Sequence, residues 1–304
     1  MLDNRKRLCM AILVAFLFLV SLAVSGCGGS EQEAVQAPVE KPEKLRVAVS
    51  IVPQASFVEA VGGELVEVIT MIPPGASPEN YAPTPQIMEE LSQARIYFAI
   101  GVPAETDGIM PRLQTDYADL KIVDLADQVD SVYPALEMAP GKTDPHRWMS
   151  PRRVQEMAKI IASELSTLDP DNAQVYEKNA EAFQEELSQL DTEIKETLAG
   201  VTGKSFIVYH PALGYLASDY GLNMISLEAE GKEADPQRLQ NVIDQAKKEK
   251  IKVIFYQAEM DSKQAQTLAE ELGGKAELIA PLSPDYIDNL KKIADTFARV
   301  LQEQ

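Results

Sequence analysis

Residues 169–203 read DPDNAQVYEKNAEAFQEELSQLDTEIKETLAGVTG, and this stretch decides the architecture. Val175, Ala180, Phe183, Leu187, Leu190, Ile194 and Leu198 recur mostly at three- and four-residue steps. The residues between them are largely Glu, Gln, Lys, Ser and Asp. One apolar stripe therefore runs along an otherwise hydrophilic helix. Asp169 is placed to cap the helix and Pro170 to open its first turn. Gly200 and Gly203 end it. A helix over Pro170–Leu198 spans roughly 40 Å at about 1.5 Å per residue. The only two histidines of the chain, His146 and His210, lie on opposite sides of this stretch in sequence.

Outward from the helix, strand and helix patterns alternate in both directions. On the N-terminal side, strands are expected over 45–51, 66–72, 95–100 and 121–125. Helices are expected over about 52–62, 84–94 and 107–117, and after the Ser150-Pro151 cap. Residues 73–83, PPGASPENYAP, are too rich in Pro and Gly to be anything but a loop, and 126–144 reads as irregular. On the C-terminal side, strands are expected over 205–209, 223–227, 252–256 and 277–279. Helices are expected over about 212–220, 235–250, 262–272 and 285–301. The fold class is thus α/β: two lobes with mostly parallel sheets of four strands each, on either side of one long helix, with loops that can converge on a cleft between them. The divisions are an N-terminal lobe at 45–168, the connecting helix at 169–199 and a C-terminal lobe at 200–304.

The first 44 residues are of another kind. Arg5, Lys6 and Arg7 precede an apolar run from Leu8 to Val24, and then comes Val24-Ser25-Gly26-Cys27. This pattern resembles a bacterial lipobox. It implies a signal peptide over 1–26, lipidation of Cys27 and a protein tethered outside the cytoplasm. Residues 27–44, rich in Gly, Gln, Glu, Ala and Pro, form the expected tether. The only other cysteine, Cys9, lies within the signal segment, so the folded part has no thiol for a disulfide, a thiolate ligand or a nucleophile. Charge narrows the partners further. With 28 Lys and Arg against 47 Asp and Glu, the formal net charge is −19. That disfavours nucleic acid and anionic lipid as partners of the folded part; it would attract cations, though an acidic surface more often serves plain solubility.

Enzyme motifs are lacking: there is no GxSxG, no P-loop and no GxGxxG after a strand. What remains is a set of loops at the expected carboxyl ends of strands, where ligands of open parallel sheets gather. His210 closes the strand FIVYH, and His146 sits in a Pro-bounded loop. Either histidine alone reads equally as a loop or strand-end residue bonded to backbone. The loops 73–83 and 228–235 complete the set.

Several long motifs, in order, resemble the zinc/manganese (cluster A-I) substrate-binding lipoproteins of ABC metal importers. They are SIVPQASFVEAVGGELVEVITMIPPGASPENYAPTP, YFAIGVP, DPHRWMSP, IVYHPALGYLASDYGL, SLEAEGKEADPQRL and APLSPDYIDNL. The resemblance covers the chain from Leu45 onward. It implies capture of Zn²⁺ or Mn²⁺ by a monomer that delivers the ion to an ABC permease and its ATPase, with the long helix limiting lobe opening. It places one ligand in the PPGASPxxYxP loop, where this chain has Glu79 instead of the family's histidine. It places the others at His146 and His210, with a fourth, often a carboxylate, in the loop after the last strand. That last position matches Ser283 here; Asp285 is the nearest carboxylate and the expected fourth ligand, with Glu228 and Glu230 as alternatives. The acidic, His-rich insertion of many zinc members has no histidine counterpart in 126–145. More oxygen donors shift preference toward harder ions such as Mn²⁺ without excluding Zn²⁺. A changed site that takes a chelated metal or another ligand, or an adhesive surface lipoprotein, is the competing expectation.

Overall fold

The computed structural model of the chain describes residues 43–117, 119–228, 234–259 and 263–303. The expected signal peptide, the lipidated Cys27, most of the tether and Glu230 lie outside them. Residues Glu43–Gln304 form one compact unit. Among the described residues, no helix is long and apolar enough to cross a membrane.

The N-terminal sheet contains β1 (Leu45–Val49), β2 (Val66–Thr70), β3 (Ile96–Ala99) and β4 (Lys121–Asp124), all parallel, in the order β2-β1-β3-β4. The C-terminal sheet contains β7 (Ser205–Val208), β8 (Asn223–Ser226), β9 (Val253–Gln257) and β10 (Lys275–Ile279). It is also parallel, in the order β10-β9-β7-β8. Read from its own first strand, the second sheet repeats the topology of the first. In each, the chain reverses winding direction between its first and third strands, and this opens a crevice at their carboxyl ends. The strand sequences fit that burial: all four residues of β3, Ile-Tyr-Phe-Ala, are buried, as a strand covered on both faces requires.

Helices α1 (Val52–Gly62), α2 (Pro85–Leu91), α3 (Met110–Asp116), α4 (Leu125–Asp130) and α5 (Pro151–Leu168) belong to the first half. The long helix is α6 (Ala173–Leu198), and α7 (Gly214–Tyr220), α8 (Pro236–Glu249), α9 (Lys263–Glu271) and α10 (Tyr286–Gln302) complete the second half. Three of these helices open with the same device, a capping oxygen followed by proline. Thr84 Oγ1 accepts from the Ile87 N–H at 3.3 Å, Ser150 Oγ from Arg153 at 3.5 Å and Asp235 Oδ1 from Arg238 at 2.9 Å.

Three local expectations change. The stripe of α6 begins at Tyr176, not Val175, which is 44% exposed. Val175 stands five residues before Ala180, about 140° around the helix, whereas Tyr176 stands one turn before it. Asp169 does not cap the backbone; its Oδ2 accepts from the Tyr176 hydroxyl at 2.7 Å and from the Asn172 amide at 2.8 Å. Residues 126–144 are not wholly irregular. They contain most of α4, started by Asp124 Oδ1 accepting from the Asp127 N–H, and a hairpin of β5 (Glu137–Ala139) and β6 (Lys142–Thr143). Elements this short carry too few residues to show a period.

The long helix is embedded. Tyr176, Ala180, Phe183, Leu187, Leu190, Ile194 and Leu198 are buried against α5, α1 and α10. Tyr286 of α10 meets Phe57 of α1 edge-on at 4.8 Å, and Phe297 of the same helix stacks near Phe206 and Phe255 at 4.6 and 4.5 Å. One hydrophobic cluster therefore holds residues of both sheets. Polar ties cross the halves as well. Trp148 Nε1 donates to the Pro281 carbonyl at 3.0 Å, the Tyr286 hydroxyl donates to the Trp148 carbonyl at 2.7 Å, and Arg153 pairs with Asp219 at 3.2 Å. A close-packed core shared in this way resists wide rotation of one half against the other.

Candidate metal centre

Three loops meet beyond the carboxyl ends of strands from the two sheets. The 73–83 loop after β2 brings Glu79, the segment before α5 brings His146, and the end of β7 brings His210. One ligand-capable atom from each of Glu79, His146 and His210 lies within 4.8 Å of the others. His146 Nε2 and His210 Nε2 are 3.1 Å apart, and Glu79 Oε1 is 3.4 Å from His210 Nε2. Both histidines are buried, at 4% and 6% exposure.

The far side of each imidazole explains their orientation. His146 Nδ1 lies 2.7 Å from Asp144 Oδ1, which also accepts the His146 backbone N–H at 2.9 Å. His210 Nδ1 lies 2.5 Å from Glu228 Oε2. A carboxylate only accepts, so each Nδ1 carries a hydrogen, and in the neutral form of each imidazole Nε2 presents a lone pair to the centre. Two lone pairs and a carboxylate oxygen thus converge with no donor between them, an arrangement that needs a proton or a cation in its middle.

Electrostatics follow. Burial alone would lower the His210 pKa, but hydrogen bonds to Glu228 and Glu79 and their negative charges outweigh it and push it up to about 9. Burial likewise works against ionised Glu79, yet the hydrogen bond and charge of His210, with His146 beside it, hold its carboxyl below the usual range. In the absence of metal, a proton on His210 fills the role of the cation.

The DPHRW and HPALGY motifs supply the scaffold. Arg147 is buried and forks onto Asp130 through Nε at 2.8 Å and Nη2 at 2.5 Å, while its Nη1 donates to the Asp144 carbonyl at 3.1 Å. Trp148, 1% exposed, fixes the turn against the second half through Pro281. From the other motif, the Tyr215 hydroxyl donates to the Asp144 carbonyl at 3.0 Å. Gly214 leaves room for the carboxylate: a Cβ there would lie 2.3 Å from Asp144 Oδ2.

The remaining expected positions fall elsewhere. Asp285 is exposed at the N-cap of α10, its N–H donating to Ser283 Oγ at 3.3 Å, and it is not among the three converging groups. Glu228 faces Nδ1 of His210, on the side away from the centre. The role of Asp144 was not drawn from sequence, although an acid two residues before a histidine was its available signal.

Residues 47–300 match the family model described as zinc-uptake complex component A, periplasmic (ZnuA). The chain belongs to this family. Among its relatives is the high-affinity zinc uptake system protein ZnuA of Bacillus subtilis (strain 168), 28% identical over 304 residues, 92% of this chain and 95% of that protein. Another is the manganese ABC transporter substrate-binding lipoprotein PsaA of Streptococcus anginosus, 25% identical over 300 residues, 94% of this chain and 93% of that one. A crystal structure of ZnuA superposes with a TM-score of 0.81 at 37% identity, covering 85% of this chain and 100% of that one. Two four-stranded parallel sheets with a long helix between them in sequence are thus the fold of a zinc/manganese-type ABC substrate-binding protein.

Proposed function

We propose that this protein captures Zn²⁺ or Mn²⁺ outside the cytoplasm and delivers it to an ABC permease driven by its ATPase. Glu79, His146 and His210 are the ligands in this reading. The observation that carries it is the convergence of two Nε2 lone pairs and one carboxylate oxygen, each imidazole held by a carboxylate on its other nitrogen. The spacing supports it: with ligand bonds of about 2.0–2.1 Å, neighbouring donors of a tetrahedral ion stand about 3.3 Å apart, against 3.1 and 3.4 Å here. Glu79 offsets one of the ion's two charges, and Asp144 and Glu228 add negative potential from behind. Two imidazoles and a carboxylate suit zinc, which outranks manganese at mixed nitrogen and oxygen sites. Glu79 in place of a third imidazole narrows that gap. Asp285, exposed at the start of α10, is not counted among these ligands.

The chain works as a monomer on a lipid anchor at Cys27, in keeping with lipoproteins among its relatives such as PsaA. The shared core around α6 keeps lobe rotation small, so movement of the 73–83 loop governs exchange. Calorimetric titration of the metal-free protein with Zn²⁺ and Mn²⁺, alongside Glu79→Ala, tests the reading. Binding of one ion per chain that weakens in the variant is expected. No uptake of either ion by the parent protein would overturn it.

A further inference from the structure

Three carboxylates are fully buried among the described residues. Asp144 and Glu228 face the histidines, and the third, Glu105, is 1% exposed and faces neither. Its partners are neutral. Oε2 accepts from the Ser50 hydroxyl at 2.7 Å and from the backbone N–H groups of Ile100 and Gly101, both at 3.0 Å. Ser50 Oγ has one hydrogen, spent on Glu105, so it accepts from the Tyr97 hydroxyl at 2.8 Å. Taking a carboxylate out of water without a cation beside it is costly. Burial accordingly pushes the Glu105 pKa up from 4.5 to about 7 against the pull of these donors. A group held at such a cost has structural work to do.

Its position shows which work. Ser50 follows β1 and Ile100-Gly101 follow β3, so the carboxylate occupies the crevice where the winding of the first sheet reverses. Doubly wound sheets use that crevice for ligands; here a side chain of the protein fills it and ties the two strand ends together. Both tied ends hold the loop that carries Glu79. The Ser50 carbonyl accepts the Ile72 N–H at 3.0 Å, at the loop's start, and the Ala104 N–H donates to the Pro78 carbonyl at 2.8 Å, one residue before Glu79. The link from Glu105 to Glu79 is therefore two short hydrogen-bonded paths, one to each part of the loop.

We propose that Glu105 is a positioning residue of the metal centre: by joining the ends of β1 and β3 it sets the place of the 73–83 loop and so of the Glu79 carboxylate. This rests on reading Glu79 as a ligand. Glu105→Ala leaves three donors without their acceptor and lets the loop base move, whereas Glu105→Gln keeps an acceptor oxygen. His146 and His210 hang from other elements and stay in place.

The test is zinc affinity at 25 °C by chelator competition, on the full chain, for the parent, Glu105→Ala, Glu105→Gln, Glu79→Ala and the Glu79→Ala/Glu105→Ala double variant. Thermal melts of the metal-free proteins establish that each is folded. Glu105→Ala is expected to weaken zinc binding roughly 10- to 100-fold. Glu105→Gln should recover most of that loss. In the Glu79→Ala background, Glu105→Ala should add nothing further, which general loss of stability would not produce. Folded Glu105→Ala with parental affinity overturns the inference, as does an equal loss with and without Glu79. If Glu105→Ala does not fold, Ser50→Ala decides: a smaller loss that vanishes without Glu79 supports the inference, and parental affinity overturns it. A parent protein that binds no zinc fails the metal reading itself, a separate outcome.

Discussion

With Glu79, His146 and His210 as the proposed ligands, metal capture must expel a proton, and the amount follows from the geometry around His210. Hydrogen bonds to Glu228 and Glu79 outweigh burial and raise its pKa to about 9 in the metal-free protein. At pH 7, two units lower, about one molecule in a hundred has a neutral His210, which costs about 3 kcal/mol of intrinsic affinity. Glu79, held below the ordinary carboxylate range, is already ionised and takes no part. Between about pH 7 and 8.5, log K for zinc should therefore rise by about one per pH unit, with about one proton released per ion. Calorimetry in buffers of different ionisation enthalpy reads the proton count, and chelator competition reads the affinity. Folding stability of the metal-free protein moves the other way. A pKa raised in the folded state gives stabilisation that is full below the unfolded value near 6.5 and is lost as pH rises through about 9. Glu228→Gln removes the strongest of the contributions that raise this pKa, so proton release at pH 7 should fall in that variant. Zinc affinity that stays flat over this range, with no proton released by the parent protein, would refute the electrostatic reasoning.

Three further outcomes are expected. Gly214→Ala puts a Cβ 2.3 Å from Asp144 Oδ2, so the carboxylate that orients His146 must shift; zinc affinity should fall at least about tenfold, read by competition with a chromogenic chelator. Glu79→His exchanges an oxygen donor for a third imidazole and should widen the preference for zinc over manganese, measured as the ratio of the two dissociation constants at fixed pH. Leu190→Ala, at a fully buried position of α6, should cost about 3 kcal/mol of stability in urea denaturation, with zinc affinity of the folded protein unchanged, because that residue lies in the core and not at the centre.

Much of the scaffold was readable along the chain. The alternation of apolar strands with amphipathic helices announced two parallel sheets, because those periods reflect which faces local backbone geometry turns inward. The pairs Thr84-Pro85, Ser150-Pro151 and Asp235-Pro236 marked helix starts through contacts spanning only three residues. Val175 misled because local spacing cannot say which of two adjacent apolar residues faces the core; burial against α5 and α1 chose Tyr176. The short α4 and the β5–β6 hairpin were illegible for want of length.

By itself, then, the sequence determined the longer elements, the order of the two sheets along the chain, and the three loops holding Glu79, His146 and His210. Those are consequences of local propensity and short-range spacing. The tertiary structure decided how the side chains in those loops act. Glu228 stands behind His210, 18 residues away in sequence. Asp144 fits only because Gly214, from the other half, lacks a side chain. Asp285 is exposed at the start of α10. Such choices depend on which distant segments share a crevice and on the cost of burying each charge, and neither quantity is written in the spacing of residues along α6 or any other single element.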